Sequence, residues 1–150
     1  MAEENYMDRF SNPEEFIRQQ ILAKGNFSSL DKKEMYRLIR VYNIEFQIHT
    51  SGLAYTKKRD MLDALLKKIS YRELARYVNV SKQSFCMKFG ITDDEFKILV
   101  EKGLIHPTNA YMSLKHCGTG DAKWSQWSGY NVYDYFNLST DEIKSVLQSY

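Results

Sequence analysis

At five separate places in this chain a Ser, Thr, Asp or Asn is followed three residues later by Glu, Ser11 and Glu14 overlapping the first of them. The pairs are Asn12 and Glu15, Asp31 and Glu34, Ser70 and Glu73, Thr92 and Glu95, Ser139 and Glu142. At that spacing the first side chain accepts a hydrogen bond from the third helical N–H, and the Glu can reach back to the cap. Each pair therefore announces the start of a helix. Only two prolines and seven glycines interrupt the 150 residues, so long regular elements with few loops are expected. A 43% hydrophobic share supplies a core, and 27% charged residues keep the surface polar. The pattern predicts a mainly α, single-domain protein.

In chain order, residues 1–11 read as a loose, charged leader. A helix should begin after Asn12, with Pro13 in its first turn and Ile17 and Ile21 on its apolar side, and stop near Gly25. A second begins after Asp31. Met35, Leu38, Ile39, Tyr42 and Phe46 share one helical face, with Val41, Ile44 and Ile48 nearly opposite. One long helix to Gly52 is the expectation, because no turn residue interrupts it. Residues 42–49 also alternate with period two, as a half-buried strand would. Residues 56–69 form a clearer helix, with Met61, Leu62, Leu65, Leu66 and Ile69 inward. Thr92 opens another, striped by Phe96, Leu99, Val100 and Leu104, with Gly103 at its end. Residues 108–128 are open between a hairpin centred on Gly118–Asp121 and a short helix stopped by Gly118. Ser139 opens a last helix, with Ile143, Val146 and Leu147 inward. Three regions follow: an N-terminal helical region (12–52), a central core (55–105) and an aromatic C-terminal region (106–150).

The stretch Ser70–Gly90 carries the functional reading. Ser70 caps a short helix whose Leu74 and Val78 share a face. Ala75 is small enough to let a second helix cross closely. Asn79 sits at the reversal and tolerates left-handed backbone, and Val80 plugs the corner. Ser81 then caps Lys82–Phe89, with Phe85 and Phe89 inward. The run Glu73-Leu74-Ala75 followed by Val78-Asn79-Val80-Ser81-Lys82-Gln83-Ser84-Phe85 resembles the helix-turn-helix of bacterial, phage and plasmid DNA-binding proteins. It departs in having Asn79 where that family usually has Gly. Residues Val100–Ile105 resemble, more weakly, the helix-to-wing transition of winged-helix proteins. The resemblance implies a three-helix DNA-binding unit with flanking helices and a small β-hairpin wing. It also implies a transcription regulator or DNA-associated accessory factor.

On that resemblance, Ser81, Lys82, Gln83, Ser84 and Met87 would face base edges in the major groove. Lys57, Lys58, Arg59, Arg72, Arg76 and Lys88 would contact phosphates. Charge placement agrees: Leu53–Gly90 holds nine Lys or Arg against three acids, a net of +6 in a chain of net +2. The partners expected are double-stranded DNA and a second copy of the chain, since such proteins usually bind paired half-sites as dimers.

An alternative reading assigns the work to the C-terminal aromatic cluster. Trp124, Trp127, Tyr130 and Tyr133 would then form a protein interface, for dimerisation or for binding a host protein as an inhibitor or adaptor. No metal site or cofactor is expected. His116-Cys117 lacks ligand partners at metal spacing, Asp93-Asp94-Glu95 is explained by helix capping, and Gly118-x-Gly120 lacks the Lys-Ser/Thr of a phosphate loop. No catalytic constellation is present, so the expectation is a non-enzyme. Cys86 and Cys117 form no disulfide framework, no apolar run reaches a membrane span, and the acidic N-terminus is no signal peptide. A cytoplasmic location is expected.

Overall fold

A computed structural model describes residues 5–23, 28–108 and 129–149. Among these, eight α-helices surround one core and no β-strand forms. The helices are α1 (Pro13–Leu22), α2 (Lys32–Val41), α3 (Lys58–Leu65), α4 (Tyr71–Leu74), α5 (Lys82–Phe89), α6 (Asp93–Glu101), α7 (Val132–Asn137) and α8 (Thr140–Gln148). Helix α2 packs on α3, α5 on α6, and α6 on α8, while α1 lies against both α4 and α7. No helix among the described residues is long and apolar enough to cross a membrane.

All five cap signals operate. The side chains of Asn12, Asp31, Ser70, Thr92 and Ser139 each accept the N–H of the Glu three residues on. At α6 the box is reciprocal, with Glu95 accepting the Thr92 N–H at 2.9 Å. Helix α5 has the bounds that Ser81 and Gly90 imply. Gly90 takes φ 63°, the left-handed conformation that ends a helix at little cost for glycine alone.

Several expectations fail, among them the helix expected over 56–69, which forms only over Lys58–Leu65. The long second helix stops at Val41, because Asn43 turns left-handed (φ 53°) and Ile44 N–H bonds back to Ile39 O at 2.8 Å. Residues 44–49 continue outside any helix and outside any sheet. The first helix of the 70–90 stretch is a single α turn followed by a 3₁₀ turn, Ala75–Tyr77. The residues after it do not reverse tightly. Val78 is extended, Asn79 keeps negative φ, and Val80 exchanges backbone hydrogen bonds with Tyr130 at 2.9 and 3.0 Å. Val78 bridges Ser28 on the other side. The connector is thus held as a short extended piece between two neighbours, not as a left-handed corner.

From Asn5 onward the leader is also not loose. Tyr6–Arg9 forms a 3₁₀ turn capped by Asn5, with Met7 and Phe10 buried. Phe10 meets Phe16 edge-on at 5.0 Å, which anchors the segment to α1. Finally, α7 was not foreseen as a helix. Its Val132, Tyr133 and Tyr135 are buried, so it closes the core over α5. The wing expected at 108–128 lies outside the described residues except for Thr108.

Candidate nucleic-acid interface

Helix α5 is held from behind by rings. Phe85 is fully buried and meets Phe96 at 5.7 Å, Tyr130 at 6.2 Å and Tyr135 at 5.3 Å, the last two edge-on. Edge-to-face aromatic packing fixes the ring's tilt as well as its depth, so the rotation of α5 about its own axis is set. That rotation turns Ser81, Lys82, Gln83, Met87 and Lys88 outward. It turns Ser84 inward. Ser84 is buried and accepts a hydrogen bond from the Ser81 hydroxyl at 3.0 Å, which removes it from the set of base-facing residues.

A second hold comes from the amino-terminal segment. The Asn5 amide donates to Ser84 O and to the Tyr135 hydroxyl, each at 3.0 Å, while its oxygen caps Met7 N–H at 3.1 Å. Asn5 is buried, so all three bonds are shielded from water. Sequence reasoning missed this residue, and only its cap spacing to Met7 could have signalled it.

The cations do not all remain available. Lys88 donates to the Tyr135 carbonyl, and its ammonium lies 4.5 Å from the Tyr135 ring and 5.0 Å from the Phe89 ring. Burial holds its pKa below the ordinary lysine value. It is therefore a clasp between α5 and α7, not a phosphate contact. Lys58 is likewise committed: it donates to Ile21 O at 3.0 Å, and burial lowers its pKa. Lys57, Arg59, Arg72 and Arg76 are exposed. Arg72 stacks over Tyr133 at 4.4 Å, and Arg76 lies over Tyr77 at 4.8 Å while donating to its hydroxyl. Stacking leaves much of each guanidinium's donor fork open to a further acceptor.

Acidic groups border the ridge. Lys82 pairs with Asp93 at 3.4 Å across a shallow cleft that Asp94 and Lys97 also line. Cys86 lies beside the same acids. Burial first, then the Asp93 charge, raises its thiol pKa, so it is no activated nucleophile.

The protein-interface set is corrected in part. Tyr133 is buried under Arg72, and Tyr130 meets Phe96 edge-on at 4.7 Å while joining the backbone bridge to Val80. Both are structural here: the Tyr130 ring packs on Phe85 behind α5, and Tyr133 lies buried beneath Arg72 of α4. Trp124 and Trp127 lie outside the described residues. Among the described residues no cluster of three or more His, Cys, Asp or Glu is placed to hold a metal ion.

Two polar anchors brace the far end of the site. His106 N–H donates to Asp134 Oδ2 at 2.8 Å, and its Nδ1 lies 2.9 Å from the same oxygen. Thr108 contacts Asn79, and a Cβ on Gly129 would collide with the Asn79 side chain. Asn79 thus serves tertiary packing where the helix-turn-helix pattern would have a turn glycine. Compared with protein-family models, curated proteins and solved structures, the chain matches none.

Proposed function

We propose that this protein binds double-stranded DNA, with α5 as the helix that enters the major groove. One observation carries the reading: α5 is fixed in rotation by a buried aromatic cluster, and its outward side presents Lys82, Gln83 and Met87 as one ridge. A helix offered in a single orientation loses little freedom on docking, which is what base readout requires. Gln83 would pair with adenine, Lys82 would donate to guanine, and Met87 would meet a thymine methyl. Ser81, at the helix start, would meet a backbone phosphate or base edge. Lys57, Arg59, Arg72 and Arg76 would bind phosphates. Use as a transcription regulator or accessory factor belongs to the same proposal.

The test is a mobility-shift selection from random duplexes at two salt concentrations. Four phosphate-directed cations imply a log–log salt slope of about −3.6, or about a hundredfold loss of affinity from 50 to 200 mM salt. Lys82→Ala with Gln83→Ala should erase site preference while the thermal transition stays put, because both side chains are exposed. Sequence preference that survives this change would remove α5 from the reading role.

A further inference from the structure

A different surface bears on assembly, independently of DNA binding. Residues 44–49 run without helix, turn or bend, and Ile44, Phe46 and Ile48 are half-buried while Glu45, Gln47 and His49 are exposed. That is the alternation of a strand. Ile44 and Phe46 pack on the core. Yet among the described residues the backbone groups of Glu45, Phe46, Gln47 and Ile48 make no hydrogen bond. The two ends, by contrast, are tied. Ile44 N–H donates to Ile39 O at 2.8 Å, His49 N–H donates to Thr56 Oγ1 at 2.9 Å, and His49 O accepts the Gly52 N–H at 2.9 Å. An open edge tied at both ends is a template for another strand. Exposed apolar side chains gather at it. Val41 and Tyr42 precede it with Asn43 between, and the exposed Tyr55 ring lies 5.9 Å from the His49 ring.

We propose that this edge pairs antiparallel with the same edge of a second copy, about a two-fold axis through Gln47. The tied ends select the register. In an antiparallel pair, alternate residues exchange both backbone bonds. His49 has both groups occupied, so His49, Gln47 and Glu45 form the non-bonded set, and Phe46 and Ile48 the bonded one. Centring on Gln47 sets Phe46 opposite Ile48 twice and closes four backbone bonds with groups that are all free. Centring on Phe46 would instead need the Ile44 N–H, already given to Ile39.

The side chains agree with the same register. Glu45 falls opposite His49 twice, with Cβ atoms roughly 5 Å apart. Ser51 N–H donates to His49 Nδ1 at 3.0 Å, which leaves Nε2 for the carboxylate across the axis. Neutral Gln47 meets its own copy, so no like charges face each other.

The experiment uses the full chain carrying Cys86→Ser and Cys117→Ser. Gln47→Cys should form a disulfide-linked dimer under mild oxidation, because facing Cα atoms in a non-bonded pair lie about 4.5 Å apart, within disulfide reach. Glu45→Cys should not, because its copies would be about 13 Å apart along the strands. Ile48→Pro deletes an N–H that only the dimer uses, and should weaken association about ten- to a hundredfold in sedimentation. Three results would each overturn the proposal: a protein still monomeric at about 100 µM, equal cross-linking of the two cysteine variants, or unchanged association of a folded Ile48→Pro variant. The cysteine comparison stands even if Ile48→Pro unfolds, because residues 45 and 47 are exposed.

Discussion

Replacing Asn5 with Ala should cost far more than a change near a chain terminus normally does. The substitution removes three buried hydrogen bonds: the cap on Met7 N–H, the bond to Ser84 O and the bond to the Tyr135 hydroxyl. Loss of a cap costs about 1 kcal/mol. Ser84 O also stands in the α5 ladder, so losing its second donor should cost only about 0.5 kcal/mol. The Tyr135 hydroxyl would be left buried without its partner, at about 1–2 kcal/mol. Together these give about 3 kcal/mol, or a Tm lower by about 6–12 °C for a domain of this size. Urea unfolding at pH 7, with the thermal transition beside it, measures the effect. Tyr135→Phe removes the orphaned hydroxyl, so the double variant should be more stable than the sum of the singles implies, by about 1 kcal/mol. A loss below about 0.5 kcal/mol for Asn5→Ala, or strict additivity, would show that the amino-terminal segment does not brace α5.

Asp93→Asn should tighten DNA binding severalfold, because it releases Lys82 from its 3.4 Å ion pair and removes a repelling carboxylate; weaker binding in titrations would contradict the placement of the reader. Gly129→Ala should destabilise the fold by about 1–3 kcal/mol through collision with Asn79, and Asn79→Ala should restore part of that loss in denaturant titrations. Ile143→Ala should cost about 2–4 kcal/mol, since Ile143 is the buried residue that seats α8. Glu34 has its pKa held below the ordinary 4.5, chiefly by the Arg37 hydrogen bond. A depressed carboxylate pKa gives stability that is present above the unfolded value and lost as pH falls through the folded one. Wild type should therefore lead Glu34→Gln at pH 7, modestly because Arg37 is exposed and Glu34 only half-buried, and the gap should close on acidification below pH 4.5.

The helix starts were legible because a cap is a local device: Thr92 and Glu95 complete each other with no help from distant residues. The same holds for α5, bounded by Ser81 and by a glycine that tolerates left-handed backbone. What the sequence hid was decided by contacts far along the chain. Asn5 reaches residues 79 and 130 positions away, so the leader carried no local sign of its order. Asn43 ends α2 without Gly or Pro, and apolar residues on both helical faces beyond it masked the stop. The outward ridge of α5 was readable except at Ser84, whose hydroxyl is drawn inward by Ser81. The fates of Lys58 and Lys88 were not readable at all. A lysine's charge is visible in sequence, but the carbonyl that captures it is not.

Residues 106–108 and 129–131 are stitched together. Thr108 N–H meets Gly129 O at 2.9 Å, Asn131 N–H meets His106 O at 2.9 Å, and Pro107 bridges Tyr130. The backbone at 108 and the backbone at 129 are therefore clamped side by side by bonds among the described residues. The entropic cost of bringing these two ends together across twenty residues of chain is offset locally by those bonds.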